Sequence, residues 1–159
     1  MRNLLVAQSG GPTSAINATI AGVIMEAHAS DQVDTIYGAV NGIKGVLEER
    51  FVNLSEKVPG EDELEILCQT PAAALGSCRV KLKNPAEDDS QFQEVIRIFR
   101  KHEIMYFIYA GGNDSMDTVD KLAAYCKLKI FMLWEHRKPS ITIWWERITV
   151  RDLVPQQNI

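Results

Sequence analysis

The sequence predicts an α/β fold, a mostly parallel sheet covered by helices on both faces. Two observations predict it. Apolar runs of strand length alternate with segments whose apolar residues recur at helical spacing, in the order strand, helix, strand, helix, strand, helix. The runs at 3–8 and 104–109 also end in glycine pairs, Gly10-Gly11 and Gly111-Gly112, that open directly into helical patterns. In open parallel sheets ligands sit at the carboxyl ends of the strands, where both glycine turns fall.

Each element has its own justification. Leu4-Leu5-Val6-Ala7, within 3–8, is the continuous apolar run expected of a strand buried on both faces. Residues 14–29 follow as a helix, with Ile16, Ile20, Val23 and Ala27 on one face. Thr13 or Ser14 suits its N-cap, and Pro12 tightens the turn ahead of it. Val33 to Val40 reads as a second strand, interrupted by Gly38. Gly42 and Gly45 bracket a short segment from Ile43 to Glu49, and Phe51 to Leu54 reads as a short strand. Glu61 to Cys68 mixes acidic and apolar residues and reads as a helix. Pro71 through Lys83 is a loop, small residues first and then charge. Phe92, Val95, Ile96 and Phe99 mark an amphipathic helix leading into the strand that ends at Tyr109. Val119 to Cys126 carries the next helical pattern, and Ile130 to Trp134 has the composition of a strand. Beyond it no clear period remains, and the three tryptophans all lie between 134 and 145. The division expected is a domain over 1–127 and an atypical tail over 128–159.

Composition narrows the function. With 159 residues the chain is one domain or part of a larger one, long enough to bury a core. Its net charge of −4 and pI of about 5.4 advertise no basic face, so neither nucleic acid nor an anionic membrane is an expected partner. No run of ~18 apolar residues is present to span a bilayer. No leader-like apolar stretch opens the chain, and a cytoplasmic location is expected. Cys68, Cys78 and Cys126 show neither metal spacing nor a pairing pattern and read as buried or half-buried thiols. His28, His102 and His136 have no ligand-spaced partners.

The glycine turns carry the chemistry. A strand ending in two glycines lets backbone approach an anion, and the first free N–H groups of the following helix point at it. One such turn is Gly10-Gly11 before Pro12-Thr13 and Asn17; the plainer reading is a tight strand-to-helix turn. The other is Gly111-Gly112-Asn113-Asp114-Ser115, whose plainer reading is a capped helix start. Its adjacent polar acceptors also suit Mg²⁺, which takes oxygen ligands and keeps several waters. Leu75-Gly76-Ser77-Cys78-Arg79, with Lys81 and Lys83, is either a solvated charged loop or a clamp for phosphate oxygens. Two anion cradles suggest a ligand with more than one phosphate, and an anion and a metal at one helix N-terminus form the working set for phosphoryl transfer.

Four stretches, GGPTSAIN, YGAVNGIKGVLEE, LGSCR and YAGGNDSMDT, stand in the order and spacing of the phosphofructokinases. Over residues 1 to about 127 the chain resembles that family, and within it the pyrophosphate-dependent branch. The resemblance implies a Rossmann-like three-layer α/β/α domain, here incomplete. It implies transfer of a phosphoryl group from diphosphate to the 1-hydroxyl of fructose 6-phosphate in glycolysis, with Mg²⁺, by a homo-oligomeric enzyme. It makes Gly10, Gly11, Arg79, Gly112, Asn113, Asp114 and Ser115 donor-binding residues. Asn113 stands where the family usually has its Mg²⁺-associated aspartate, so an amide oxygen replaces a carboxylate. Asp114 stands where ATP-using members carry glycine. A carboxylate there fills and repels the space of a nucleotide α-phosphate, which selects diphosphate. A relative of the NAD or lipid kinases, and a non-catalytic phosphate-binding module, are the alternative readings.

The family's catalytic string PKTIDND is missing; Arg137-Lys138-Pro139-Ser140-Ile141-Thr142-Ile143-Trp144-Trp145 stands instead. Codons for residues 138–143, read one base earlier, permit K-T-I-D-N-D, and those for Arg147 to Ile159 permit T-D-H-C-P-G-F-G-S-A-A-K-Y. The expectation is a frameshifted, truncated member of the family with the shift near Cys126 to Ile130, a poorly ordered tail, and no catalytic residues.

Overall fold

The structure, a computed structural model, describes residues 2–11 and 14–133, with the backbone alone for Ser14 and for 127–133. Pro12, Thr13 and residues 134–159 lie outside the described residues, so the proposed capping turn and most of the atypical tail do too. The elements run β1 (Asn3–Gln8), α1 (Ser14–Ala29), β2 (Ile36–Ala39), α2 (Gly42–Leu47), β3 (Phe51–Asn53), α3 (Leu54–Lys57), α4 (Glu61–Gln69), α5 (Ser90–Lys101), β4 (Ile104–Ala110) and α6 (Asn113–Leu133).

The sheet order is β3-β2-β1-β4. Strand β1 lies parallel to both β2 and β4, with Ala7 opposite Ala39 on one side and Tyr109 on the other. It is the central strand, and every one of its residues is buried. Successive side chains of a strand alternate between faces. Leu5 and Ala7 accordingly pack with Ile43 and Val46 of α2, Phe92, Val95 and Phe99 of α5, and Leu122 and Tyr125 of α6. Leu4 and Val6 pack on the other face with Ile20, Val23, Ile24 and Ala27 of α1, and with Leu54 and Val58. Helices thus cover both faces, and the three-layer α/β/α expectation holds.

The structure refines or corrects the expectation in three places. Strand β3 pairs antiparallel with β2, Tyr37 opposite Asn53. A parallel return needs a crossover of a dozen or more residues, and residues 40–50 hold only the short helix α2 and a turn. That turn closes by Val40 N–H donating to the Arg50 carbonyl at 3.0 Å and Arg50 N–H to the Gly45 carbonyl at 2.8 Å. Second, residues 130–133 continue α6 and form no strand. A short apolar run reads equally as strand or buried helix, and no glycine or proline precedes it to break the helix. Third, Cys68 is exposed on α4, whereas Cys78 is half-buried and Cys126 buried.

Candidate functional site

The two glycine turns meet. Ser9 N–H donates to the Ala110 carbonyl at 2.8 Å, extending the β1–β4 ladder beyond its last paired residues. Gly10 follows with φ +90°, a conformation open to glycine and costly for a residue with a Cβ. A Cβ on Gly10 would lie 3.4 Å from the Gly112 backbone nitrogen, so the bends after β1 and β4 stand nearly in contact. A Cβ on Gly111 would lie 2.1 Å from Ser115 Oγ and 2.9 Å from the Ser9 carbonyl oxygen; no larger residue fits. Around Gly11 and Gly112 the space is open, on the side where a ligand would approach.

Helix α6 begins at this junction. Ser115 and Met116 donate their N–H groups to the Gly112 carbonyl at 3.0 and 3.1 Å, so the turn is helical from its first residue. The N–H groups ahead of them have no intrahelical acceptor and carry the positive end of the helix dipole. Asn113 and Asp114 are exposed there, while Ser115 is buried. The Ser115 Oγ has no hydrogen-bond partner among the described residues. A buried hydroxyl in this condition has capacity for a further partner, water or ligand, as the Asn3 and Asn53 side-chain oxygens also do.

The loop after α4 supplies the third wall. Its course is set by two buried amides, Gln8 at the end of β1 and Asn17 on α1, both fully excluded from solvent. Gln8 Nε2 donates to Asn17 Oδ1 at 2.9 Å, and Gln8 Oε1 accepts from Leu75 N–H at 2.8 Å. Asn17 Nδ2 donates to the Thr70 and Ala72 carbonyls at 2.8 and 2.7 Å, and its Oδ1 accepts from Ala74 N–H at 2.9 Å. Asn17 therefore does not reach the anion turn with which the sequence associates it; it pins the loop of residues 70–75. Beyond that segment, Asn41 N–H donates to the Leu75 carbonyl at 2.7 Å, and Ser9 Oγ to the Cys78 carbonyl at 3.0 Å.

Tyr109 is the residue the sequence reading passed over. Its hydroxyl, at the carboxyl end of β4, accepts from Ile43 N–H at 3.2 Å and lies 4.0 Å from Cys78 Sγ. Burial pushes its phenol above the ordinary value, and it stays neutral at physiological pH. Gly42 packs at the same point: a Cβ there would lie 2.8 Å from both the Gln8 carbonyl oxygen and the Tyr109 hydroxyl. This close approach explains Gly42 of the YGAVNG stretch, while Gly38 leaves room for the side chains of Leu75 and Leu54.

Ser9, Gly10, Gly11, Cys78, Arg79, Gly112, Asn113, Asp114 and Ser115 line one open cleft of about 390 Å³. All seven residues singled out from the sequence are thus brought together. Arg79 is exposed and has no ion pair among the described residues. Lys81 Nζ lies 2.9 Å from Asp114 Oδ1, and that contact raises the lysine above its ordinary value. Lys83 turns away and pairs with Asp88 at 3.0 Å.

The chemistry of this set is that of oxyanion binding. Backbone N–H groups, a free guanidinium and a helix N-terminus converge, while Asp114 is the sole carboxylate lining the cleft among the described residues. Among the described residues no cluster of three or more His, Cys, Asp or Glu forms a metal cage. Beside the Cys78 thiol and the Ser9 hydroxyl, the side-chain oxygens present at the start of α6 are the Asn113 amide, the Asp114 carboxylate and the Ser115 hydroxyl. That set suits a hard cation which brings its remaining oxygens as water and ligand phosphate.

Comparison with known proteins bears on this geometry. The family described as Phosphofructokinase matches residues 3–135. The pyrophosphate--fructose 6-phosphate 1-phosphotransferase of Xanthomonas campestris is 43% identical over 125 residues, 79% of this chain and 29% of that protein. The enzyme of the same description from Rhodospirillum rubrum is 41% identical over 116 residues, 73% of this chain and 27% of that one. The crystal structure of a pyrophosphate-dependent phosphofructokinase from Nitrosospira multiformis superposes with a TM-score of 0.73 at 36% identity, covering 80% of this chain and 31% of that one. Phosphofructokinase from Pichia pastoris, at 14% identity and a TM-score of 0.63, shares the fold. The chain spans less than a third of the length of the curated relatives it matches.

Proposed function

The chain belongs to the phosphofructokinase family, and from that premise we propose that its cleft is the phosphoryl-donor site of a diphosphate-dependent 6-phosphofructokinase. The whole enzyme would move a phosphoryl group from diphosphate to fructose 6-phosphate. The observation that carries the reading is the abutment of the glycine turns, Gly10 against Gly112, beneath the carboxylate of Asp114. Gly10, Gly11, Gly112 and the first N–H groups of α6 would hold phosphate oxygens, with Arg79 closing on them from the loop. Ser115 Oγ would donate to one of them and so gain the partner it lacks. Asp114 would deny the cleft to a nucleotide α-phosphate.

Magnesium belongs to this proposal as a companion of the diphosphate. Asn113 would hold it through its amide oxygen, and when bound it would neutralise charge on the phosphate oxygens. A cytoplasmic location and homo-oligomeric assembly belong to the proposal as well; among the described residues no helix is long and apolar enough to cross a membrane.

The 159 residues contain no PKTIDND string, and among the described residues the sole carboxylate lining the cleft, Asp114, is paired with Lys81. This favours binding without turnover by this chain, as expected of a truncated member of the family rather than of a separate non-catalytic module, which the matches do not favour. The NAD-kinase and lipid-kinase alternatives are not favoured by the matches. The reading-frame account of the tail stands as a proposal, decided by the nucleotide sequence of the gene.

Calorimetry of the chain with Mg²⁺-diphosphate and with ADP tests the donor site, beside a turnover assay with fructose 6-phosphate. Heat of binding with diphosphate, none with ADP and no turnover are expected, and Asp114→Gly should admit the nucleotide. Firm capture of ADP with no response to diphosphate would overturn the reading.

A further inference from the structure

A carboxylate at the mouth of an anion site poses a difficulty. Asp114 repels a nucleotide, but by the same Coulomb law it repels diphosphate. At ~4 Å one unit charge against another changes an equilibrium by on the order of tenfold in a partly solvated setting. A selective site needs the carboxylate to occupy space without presenting its full charge.

The structure supplies a counter-charge. Lys81 Nζ lies 2.9 Å from Asp114 Oδ1. Two other charged groups nearby have partners of their own. Asp117 bonds to Lys121 at 2.6 Å, and Lys83 bonds to Asp88 at 3.0 Å. The backbone that presents Lys81 is tethered on both sides. Ser9 Oγ holds the Cys78 carbonyl at 3.0 Å, and Leu82 is buried in the core beside Phe92.

We propose that Lys81 is a specificity-determining residue of the donor site: its ammonium neutralises Asp114, so that the carboxylate excludes nucleotides by its bulk and position without driving off diphosphate. The proposal rests on the diphosphate reading of the cleft. It assigns Arg79 to the ligand and Lys81 to Asp114, two cations of one loop with different tasks.

The distinction is measurable in a double-mutant cycle. Diphosphate affinity is read by calorimetry for the unaltered chain, Lys81→Met, Asp114→Asn and the double variant, at about 50 mM and 500 mM salt, since exposed charges are screened at the higher value. Both side chains are more than half exposed, and the melting temperature is expected to stay constant across the set. Lys81→Met should weaken binding about tenfold at low salt and clearly less at high salt. In the Asp114→Asn background the same change should cost less than about threefold, and Lys81→Arg should restore most of the affinity. Equal losses in the two backgrounds would make Lys81 a direct phosphate ligand and overturn the proposal, as would no loss in either. An unaltered chain that ignores diphosphate would be a different result: it would refute the donor-site reading itself, and this proposal with it.

Discussion

Asn17→Ala separates a scaffold role from a ligand role. Asn17 is fully buried and makes four hydrogen bonds, to Gln8 Nε2, Ala74 N–H and the carbonyls of Thr70 and Ala72. The substitution strips Gln8 Nε2 to a single long contact with the Ile16 carbonyl at 3.3 Å, in a residue with no access to water. A buried polar group left in that condition costs ~1–3 kcal/mol. Thr70 is half-buried and Ala72 and Ala74 are exposed, so their three freed backbone groups reach water and lose only ~0.5–1.5 kcal/mol each. The expected total is about 4 kcal/mol, or roughly a 10 °C fall in melting temperature for a domain of this size. Circular dichroism against temperature measures it. Diphosphate affinity should fall with it, because the loop bearing Arg79 is released. A variant that melts within about 2 °C of the parent yet no longer binds would refute this reasoning and return Asn17 to the anion site.

Other perturbations address the cradle and the acid limit. Gly111→Ala puts a methyl 2.1 Å from Ser115 Oγ and 2.9 Å from a backbone oxygen, and should cost ~1–3 kcal/mol of stability together with diphosphate binding. Gly11→Ala meets nothing within 4 Å and should keep the melting temperature while weakening the ligand alone; calorimetry beside a melting curve distinguishes the two. Glu49 is hydrogen-bonded by Lys101, His102 and Arg97, which hold its carboxyl down to about 2 from 4.5. A depressed carboxyl adds stability that is complete above its unfolded value and lost as pH falls through its folded one. Unfolding followed from pH 5 to pH 2 should therefore show a loss that Glu49→Gln diminishes, and identical acid profiles for the two proteins would exclude this cluster as the cause.

Much of the fold was legible because its elements follow single rules. Leu4 to Ala7 is apolar on both faces and had to be an interior parallel strand. Phe92, Val95 and Phe99 fall on one side of a helix, and all three are buried in the core. That the two glycine turns would fall together was legible because both stand at the carboxyl ends of strands in one parallel sheet, whereas their donor-binding role was carried by the family resemblance. The direction of β3 was left open because three residues, Phe51 to Asn53, carry no directional signal; the loop length ahead of them does. Gln8, Asn17 and Tyr109 act across 66 to 67 residues or, for Asn17, 53 to 57, through single polar atoms. No local period encodes such contacts. Lys81 was noticed as one of three loop cations, but only the folded chain distinguishes it from Arg79 and Lys83.

The abutting bends also tie ligand capture to the order of folding. Gln8 and Ala110 come opposite each other only when the first and last strands of this sheet are zipped in their final alignment. A slip of one residue would displace Gly112 by ~3.3 Å relative to Gly10 and pull the cradle apart. Any anion bound there adds its affinity to that alignment alone. The molecule's first catch of diphosphate would mark the moment at which a nascent chain has closed its most distant pairing, and would then act as a latch on it.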